Sequence, residues 1–193
     1  SDTLEKCIEM RPGVFFDAEF ALLGLDQRIA ACGLTTFCHA ISFADNELGL
    51  RSVEQAETLV RLIKRLAREK RFKVHHLVHM RHEIGADNDG FRTERLMDEG
   101  LVDVFSIMDH TPGQGQFKTF QSYVSFYAKN YDINGENIYD RLEKKKQQQD
   151  KGWKRVVDLT QKVKKVHIPV LSHDDDTKQK VNLVNQLGAT GCE

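Results

Sequence analysis

The stretch "VDVFSIMDHTPGQGQF" (Val102–Phe117) sets a short apolar run directly against His110, with Asp109 beside it. "IPVLSHDDDT" (Ile168–Thr177) repeats the pattern at His173, Asp174 and Asp175. Both runs are short, β-branched and bounded by turn-forming residues, the composition of buried strands that end in loops. A third run, "FKVHHLVHMRHE" (Phe72–Glu83), is also a strand. Alternation puts His75, Leu77, His79, Arg81 and Glu83 on one of its faces, and His76, Val78, Met80 and His82 on the other.

Helical patterns separate these runs. Phe16–Cys32 has helical spacing and stops at Gly33. "LTTFCHAISF" (Leu34–Phe43) follows as a strand. In Val53–Lys70 the apolar stripe is Val53, Ala56, Val60, Ile63 and Ala67, with Arg and Lys opposite. Phe91–Glu99 is a short helix closed by Gly100, and Thr119–Lys129 is another. Ile138–Val166 is a long charged helix with a kink expected at Gly152, and its "EKKKQQQDK" segment is a solvated face. Lys178–Leu187 is a helix ending at Gly188, and "ATGCE" begins a further strand.

The order is therefore strand, helix, strand, helix, with strands expected to be apolar on both faces as in covered parallel sheets. An open doubly wound sheet and a (β/α)8 barrel both fit. No G-x-G-x-x-G follows the first strand, which weakens a dinucleotide fold. In either architecture ligands meet the C-terminal strand ends, where the polar residues gather here.

The chain has 193 residues, enough for one sizeable core, with 40% hydrophobic and 30% charged residues and only 3 Pro. A formal net charge of -1 gives no general pull toward nucleic acid or anionic lipid. No run is long and apolar enough to span a bilayer, and the first residues show no signal-peptide pattern. Neither a nucleic acid nor a membrane is an expected partner. Cys7, Cys32, Cys38 and Cys192 are scattered without a C-x-x-C pair, as reduced thiols in the cytoplasm would be.

Two strand-end histidines with adjacent aspartates, and Glu83 at a third strand end, form a set suited to a divalent first-row metal. Such a metal acidifies bound water near neutral pH. Asp109, Asp174 or Asp175 then serves as second-sphere acceptor or as base. In the loop, Gly113 and Gly115 allow close backbone approach, and Gln114 and Gln116 add amide donors, a composition suited to an oxyanion. The same residues also fit solvated strand ends and a tight turn.

On "SIMDHTPGQGQF", "LSHDDDT", "AACGLTTFCHAIS", "HMRHE" and "ATGCE", the chain resembles the α-D-ribose 1-methylphosphonate 5-triphosphate diphosphatases. These belong to the amidohydrolase superfamily and the carbon–phosphorus lyase pathway. The resemblance runs over almost the whole chain. It implies a partial TIM-like (β/α)8 barrel of the metal-dependent hydrolase type, a single incomplete domain over 1–193, with about five to six parallel strands. It implies a divalent cation, zinc or manganese, and a phosphorylated sugar phosphonate substrate whose 5-triphosphate is cut to the 5-phosphate and pyrophosphate.

Carried over by position, Glu83, His110 and His173 are metal ligands, and Asp2 matches the second member of an H-x-D pair. Arg81 and the Gly113–Gln116 loop are expected to meet the triphosphate, on grounds of charge and position. His39 stands where the family often carries Asp. The His partner of Asp2 and the last barrel strands are absent, so this chain alone is expected to be inactive and to self-associate through open sheet edges. A C–N hydrolase of the same superfamily and a non-catalytic interaction module are the alternatives.

Overall fold

The computed structural model describes residues 3–11, 13–44, 52–86, 90–111, 113, 118–131 and 135–192. A helix, α1 (Thr3–Ile8), leads into a two-stranded antiparallel ribbon of β1 (Glu9–Arg11) and β2 (Val14–Phe15). Then follow α2 (Ala18–Ala31), β3 (Thr36–Phe43), α3 (Val53–Arg68), β4 (His75–Glu83), α4 (Gly90–Asp98) and β5 (Val104–Met108). The chain continues through α5 (Phe120–Tyr131), α6 (Gly135–Lys165), β6 (Val170–Ser172), α7 (Lys178–Gln186) and β7 (Gly191–Cys192).

Local chemistry sets these boundaries. The Asp17 carboxylate accepts the Phe20 N–H at 2.9 Å to open α2, and Thr177 Oγ1 accepts the Lys180 N–H at 3.2 Å to open α7. After α4, the chain reverses at Gly100 with φ +67°. Its N–H donates to Met97 O and that of Leu101 to Leu96 O, the paired bonds of a glycine helix stop.

Strands β3 to β7 form one parallel sheet whose spatial order equals their chain order, β3-β4-β5-β6-β7. A doubly wound sheet reverses direction at a switch point. None occurs here. Right-handed crossovers that always step the same way lay their helices on one face of the sheet. This is the α/β progression of a partial TIM-like barrel, and the sheet is not closed: among the described strands, β3 and β7 are its edges.

The helix-facing side carries the core. Ile41, Met80, Phe105 and Val170 stand in register across four strands as one apolar row. Leu22, Leu25 and Ile29 of α2, Leu59, Ile63 and Leu66 of α3, Leu96 of α4, and Val156, Leu159 and Val163 of α6 belong to the same buried cluster. The other face is polar in its middle rows, with Ser42, Arg81 and Ser106 side by side. His79 and Ser106 are both buried there, His79 Nε2 lying 2.9 Å from Ser106 Oγ. The expectation of strands apolar on both faces is thus corrected. A sheet with helices on one side only needs one apolar face.

Even the helix-facing side holds a buried polar chain. Asp26 of α2 accepts the Lys73 and Val74 N–H groups at 3.1 Å and lies 3.0 Å from His76 Nε2. His76 Nδ1 in turn lies 2.7 Å from His39 Nε2. An ionised carboxylate only accepts, so His76 donates from Nε2, leaving its Nδ1 to accept from His39. The ring of Phe72 stacks on His76 with centroids 4.0 Å apart, and Phe37 meets His39 edge-on at 4.9 Å. His39 is therefore a structural residue that ties β3 through β4 to α2. Burial, then the neighbouring His76, pulls its pKa down to about 3. Burial also lowers His76, against the pull of Asp26.

Helix α6 runs through Gly152 without interruption. The glycine is there for space: a Cβ at this position would overlap the backbone carbonyl of Ile84, just past the end of β4.

Two consequences are measurable. His39 and His76 are held neutral in the fold, whereas the unfolded chain protonates them below about pH 6.5. Stability therefore falls as pH drops below that value, for His39 until pH nears about 3, and His76 adds to the fall in the same direction, by up to about 1.4 kcal/mol per pH unit for each histidine the fold still holds neutral. Urea unfolding between pH 7 and 5 is expected to show this, and His39→Gln, which keeps a donor for His76, to flatten the slope by one histidine's share. Gly152→Ala gains about 1 kcal/mol of helix propensity but meets backbone, so a net loss of about 1–2 kcal/mol is expected. A gain in thermal stability would contradict the close approach.

Candidate metal centre

Parallel pairing brings three strand ends together. Glu83 stands beside Met108, and Ile107 beside Ser172. The ladder runs one residue past the strands: Ile84 N–H donates to Met108 O at 2.9 Å, and His173 N–H to Ile107 O at 3.0 Å. The polar residues just beyond β4, β5 and β6 are thereby delivered to one place.

At that place Glu83, only 3% exposed, grips His110 twice. Its Oε1 accepts the His110 backbone N–H at 3.0 Å, and its Oε2 lies 2.6 Å from His110 Nδ1. On the far side of the ring, Nε2 is 3.7 Å from Asp174 Oδ2. Asp174 Oδ1 is 3.2 Å from His173 Nδ1, and the two imidazoles meet edge to face with centroids 5.6 Å apart.

His110, His173 and Asp174 each present a ligand atom, all within 4.8 Å of one another. That spread is close to what a first-row cation spans at roughly 2.0–2.2 Å per ligand. The donor set of two imidazoles and a carboxylate is the chemistry such a cation takes. Asp174 Oδ2 is buried and accepts no hydrogen bond, so the site has an anionic oxygen for it. The residues fit a divalent metal.

The position of Asp174 depends on an uncommon backbone conformation. Its φ is +54°, a left-handed geometry rare outside glycine and tolerated best by Asn and Asp. Strict alternation from His173 would have placed Asp175 on the site face. The strand ends at Ser172, however, and the left-handed turn puts Asp174 beside the histidines. Asp175 points the other way, where Ser172 Oγ donates to it at 2.7 Å and Lys180 Nζ lies at 3.7 Å. Lys180 Nζ also donates to the carbonyls of His173 at 3.0 Å and Asp174 at 3.1 Å. This lysine, 7% exposed, clamps the whole turn from α7. Nothing in the sequence distinguishes it from its exposed neighbours.

The other expected site residues are distributed as follows. Arg81 is half-buried on the same sheet face as Glu83, one pleat below it and beside Ser42 and Ser106. Asp109 turns back into its own loop, where its Oδ1 accepts the Thr111 N–H at 3.0 Å and its Oδ2 the Gln149 amide of α6 at 3.4 Å. Gly113 has φ +108°, a conformation that a side chain would strain. Asp2, Gln114, Gly115 and Gln116 lie outside the described residues.

With this geometry in hand, comparison with known proteins is informative. The chain is similar to the alpha-D-ribose 1-methylphosphonate 5-triphosphate diphosphatase of Escherichia coli (strain K12). The two are 26% identical over 195 aligned positions, which take in 100% of this chain and 51% of that protein. The chain thus spans about half the length of the curated relative it matches. The resemblance carried by the MDHTPGQ and SHDD motifs is borne out by this match. No family model matches the chain. No solved structure matches it either.

Lys180 offers a direct test of the site's scaffold. Lys180→Met keeps the apolar stem but leaves Asp175 buried without its cation. A loss of about 3 kcal/mol in urea unfolding is expected, whereas an unchanged midpoint would mean the clamp contributes nothing.

Proposed function

We propose that this chain forms part of a metal-dependent hydrolase of phosphonate catabolism, acting on a phosphorylated sugar phosphonate in the cytoplasm. The reaction proposed is cleavage of the 5-triphosphate of α-D-ribose 1-methylphosphonate 5-triphosphate to the 5-phosphate, with release of pyrophosphate. The observation that carries this reading is the convergence of Glu83, His110, His173 and Asp174 at the ends of three adjacent strands. Similarity to a diphosphatase supports hydrolysis and points to a phosphoanhydride as the bond.

In this reading His110, His173 and Asp174 hold the cation. A divalent ion there, zinc or manganese, supplies Lewis-acid stabilisation of phosphoryl charge and an acidified water. Glu83 keeps the His110 ring in place. Arg81, on the same face, provides a planar guanidinium that matches phosphate oxygens bidentately. The Gly113–Gln116 loop follows β5 in the chain, and its glycines and glutamine amides are of a kind that suits an oxyanion. Asp175 and Lys180 hold the turn that presents Asp174.

The experiment uses the natural protein that carries this chain, supplied with zinc or manganese and the triphosphate substrate. Pyrophosphate release is expected, with kcat/KM falling about 100-fold or more in His110→Ala and Asp174→Ala. Ammonia release from cyclic amides, with no pyrophosphate from the triphosphate, would replace this reading with C–N hydrolysis. Retention of full activity by both variants would remove the site from the reaction.

A further inference from the structure

Helix α6 is longer than the sheet it covers. At about 1.5 Å per residue its 31 residues span about 46 Å, against about 17 Å for the 5 residues of β5. Its C-terminal half packs on the sheet through one stripe, Gly152, Val156, Leu159 and Val163, all buried. Gly152 marks the level of the strand ends, because a Cβ there would meet the carbonyl of Ile84, one residue past β4. One turn earlier the Gln149 amide donates to Asp109 Oδ2 at 3.4 Å, beside His110 in the chain. The part of α6 before Gln149 therefore stands past the C-terminal edge of the sheet, the edge on which the metal centre opens.

Helical geometry sorts the residues of this overhang. Asp140, Glu143, Gln147 and Asp150 are exposed and mark its outer face. Positions 141 and 145 lie on the opposite side. Each falls within roughly 20° of Gly152 around the axis, about 16 and 10 Å past it. The inward stripe thus changes from Val156 and Gly152 to Lys145 and Arg141 as the helix leaves the sheet. Helix pairing does not account for these two. Lys144 has Asp140 four residues before it and Lys146 has Asp150 four residues after it, the spacing of stabilising pairs. No carboxylate stands three or four residues from Arg141 or Lys145. They are instead four residues from each other, and like charges at that spacing weaken a helix. A basic pair that costs helix stability, on the inward side and past the strand ends, has the character of a polyanion contact.

We infer that α6 continues past the sheet as one wall of the site, and that Arg141 and Lys145 hold the phosphate chain of the substrate beyond the cation. The inference rests on the polyphosphate substrate proposed above. A cation at the strand ends attracts negative charge without sensing how far it extends. Two basic residues on successive turns, about 6 Å apart along the axis, match an elongated anion. The guanidinium takes two oxygens of one phosphoryl group and the ammonium makes a point contact with another. The wall is thus a specificity element that favours an extended phosphate chain over a monophosphate.

Two measurements on the natural protein that carries this chain test the wall. In turnover, Lys145→Gln is expected to raise KM for pyrophosphate release about 10-fold with kcat little changed, and Lys145→Arg to restore most of the loss. Lys146→Gln, the same charge change on the outward side, is expected to leave both constants as they were. An unchanged KM in Lys145→Gln would overturn the inference. Calorimetric titration of the metal-free protein with inorganic tripolyphosphate needs no turnover. The natural sequence is expected to bind it more tightly than orthophosphate, and Lys145→Gln to bind it about 10-fold more weakly. The urea midpoint of Lys145→Gln is expected to hold or rise, since a like-charge pair has been removed. If the natural protein releases no pyrophosphate, the diphosphatase reading fails and the titration still decides. Weaker tripolyphosphate binding in Lys145→Gln alone sustains the wall, and equal binding by Lys145→Gln and Lys146→Gln removes it.

Discussion

The site depends on the in-register pairing of three parallel strands. Because β4, β5 and β6 run the same way and stand side by side, their C-terminal ends open on the same edge of the sheet. Residues separated by 27 positions, as Glu83 and His110 are, come within hydrogen-bonding distance. A slip of one residue in this register would send every side chain to the opposite face. The apolar row of Ile41, Met80, Phe105 and Val170 prevents that slip. Its burial against α2, α3, α4 and α6 and the exposure of the polar row to the site are two results of one alignment.

The loops after the strands then decide which polar group does what. After β4 the carboxylate of Glu83 stays in line with the strand and reaches across to β5. Past β5, Asp109 secures the loop from within while His110 faces the site. The chain beyond β6 turns left-handed at Asp174, held by Lys180 through two carbonyls and an aspartate. This lysine is costly to bury and acts from the next helix, so its three oxygen partners are what make its burial tolerable. The supporting residues on α6 and α7 therefore belong to the site as much as the strand ends do.

The helix-facing side shows how a polar network can serve the fold alone. Asp26, His76 and His39 are nearly inaccessible and chained by hydrogen bonds, features that in a cleft would suggest catalysis. Their place under α2, on the face away from the strand-end cluster, and the aromatic walls of Phe37 and Phe72 make them a fastener. Chemistry requires access, and the strand-end cluster, with His110, His173 and Asp174 all partly exposed, has it.

Much of this was legible in the sequence because it is periodic. Alternation along Phe72–Glu83 sorted His79, Arg81 and Glu83 onto one face, and the helix stripes with their glycine stops marked the βα repeat. Periodicity ceases where strands end, so the choice between Asp174 and Asp175 was beyond it: the choice turned on a single left-handed φ. Lys180 and the contacts of His39 with His76, 37 residues away, were equally hidden, because a buried lysine or histidine is spelled like an exposed one. Sequence by itself determined which residue types stood at the strand ends and on which face, since side-chain direction along a strand follows from backbone geometry. Only the tertiary structure decided that those ends were neighbours, that the sheet wound in one direction, and that Glu83 gripped His110, since each of these is set by packing between segments far apart in the chain.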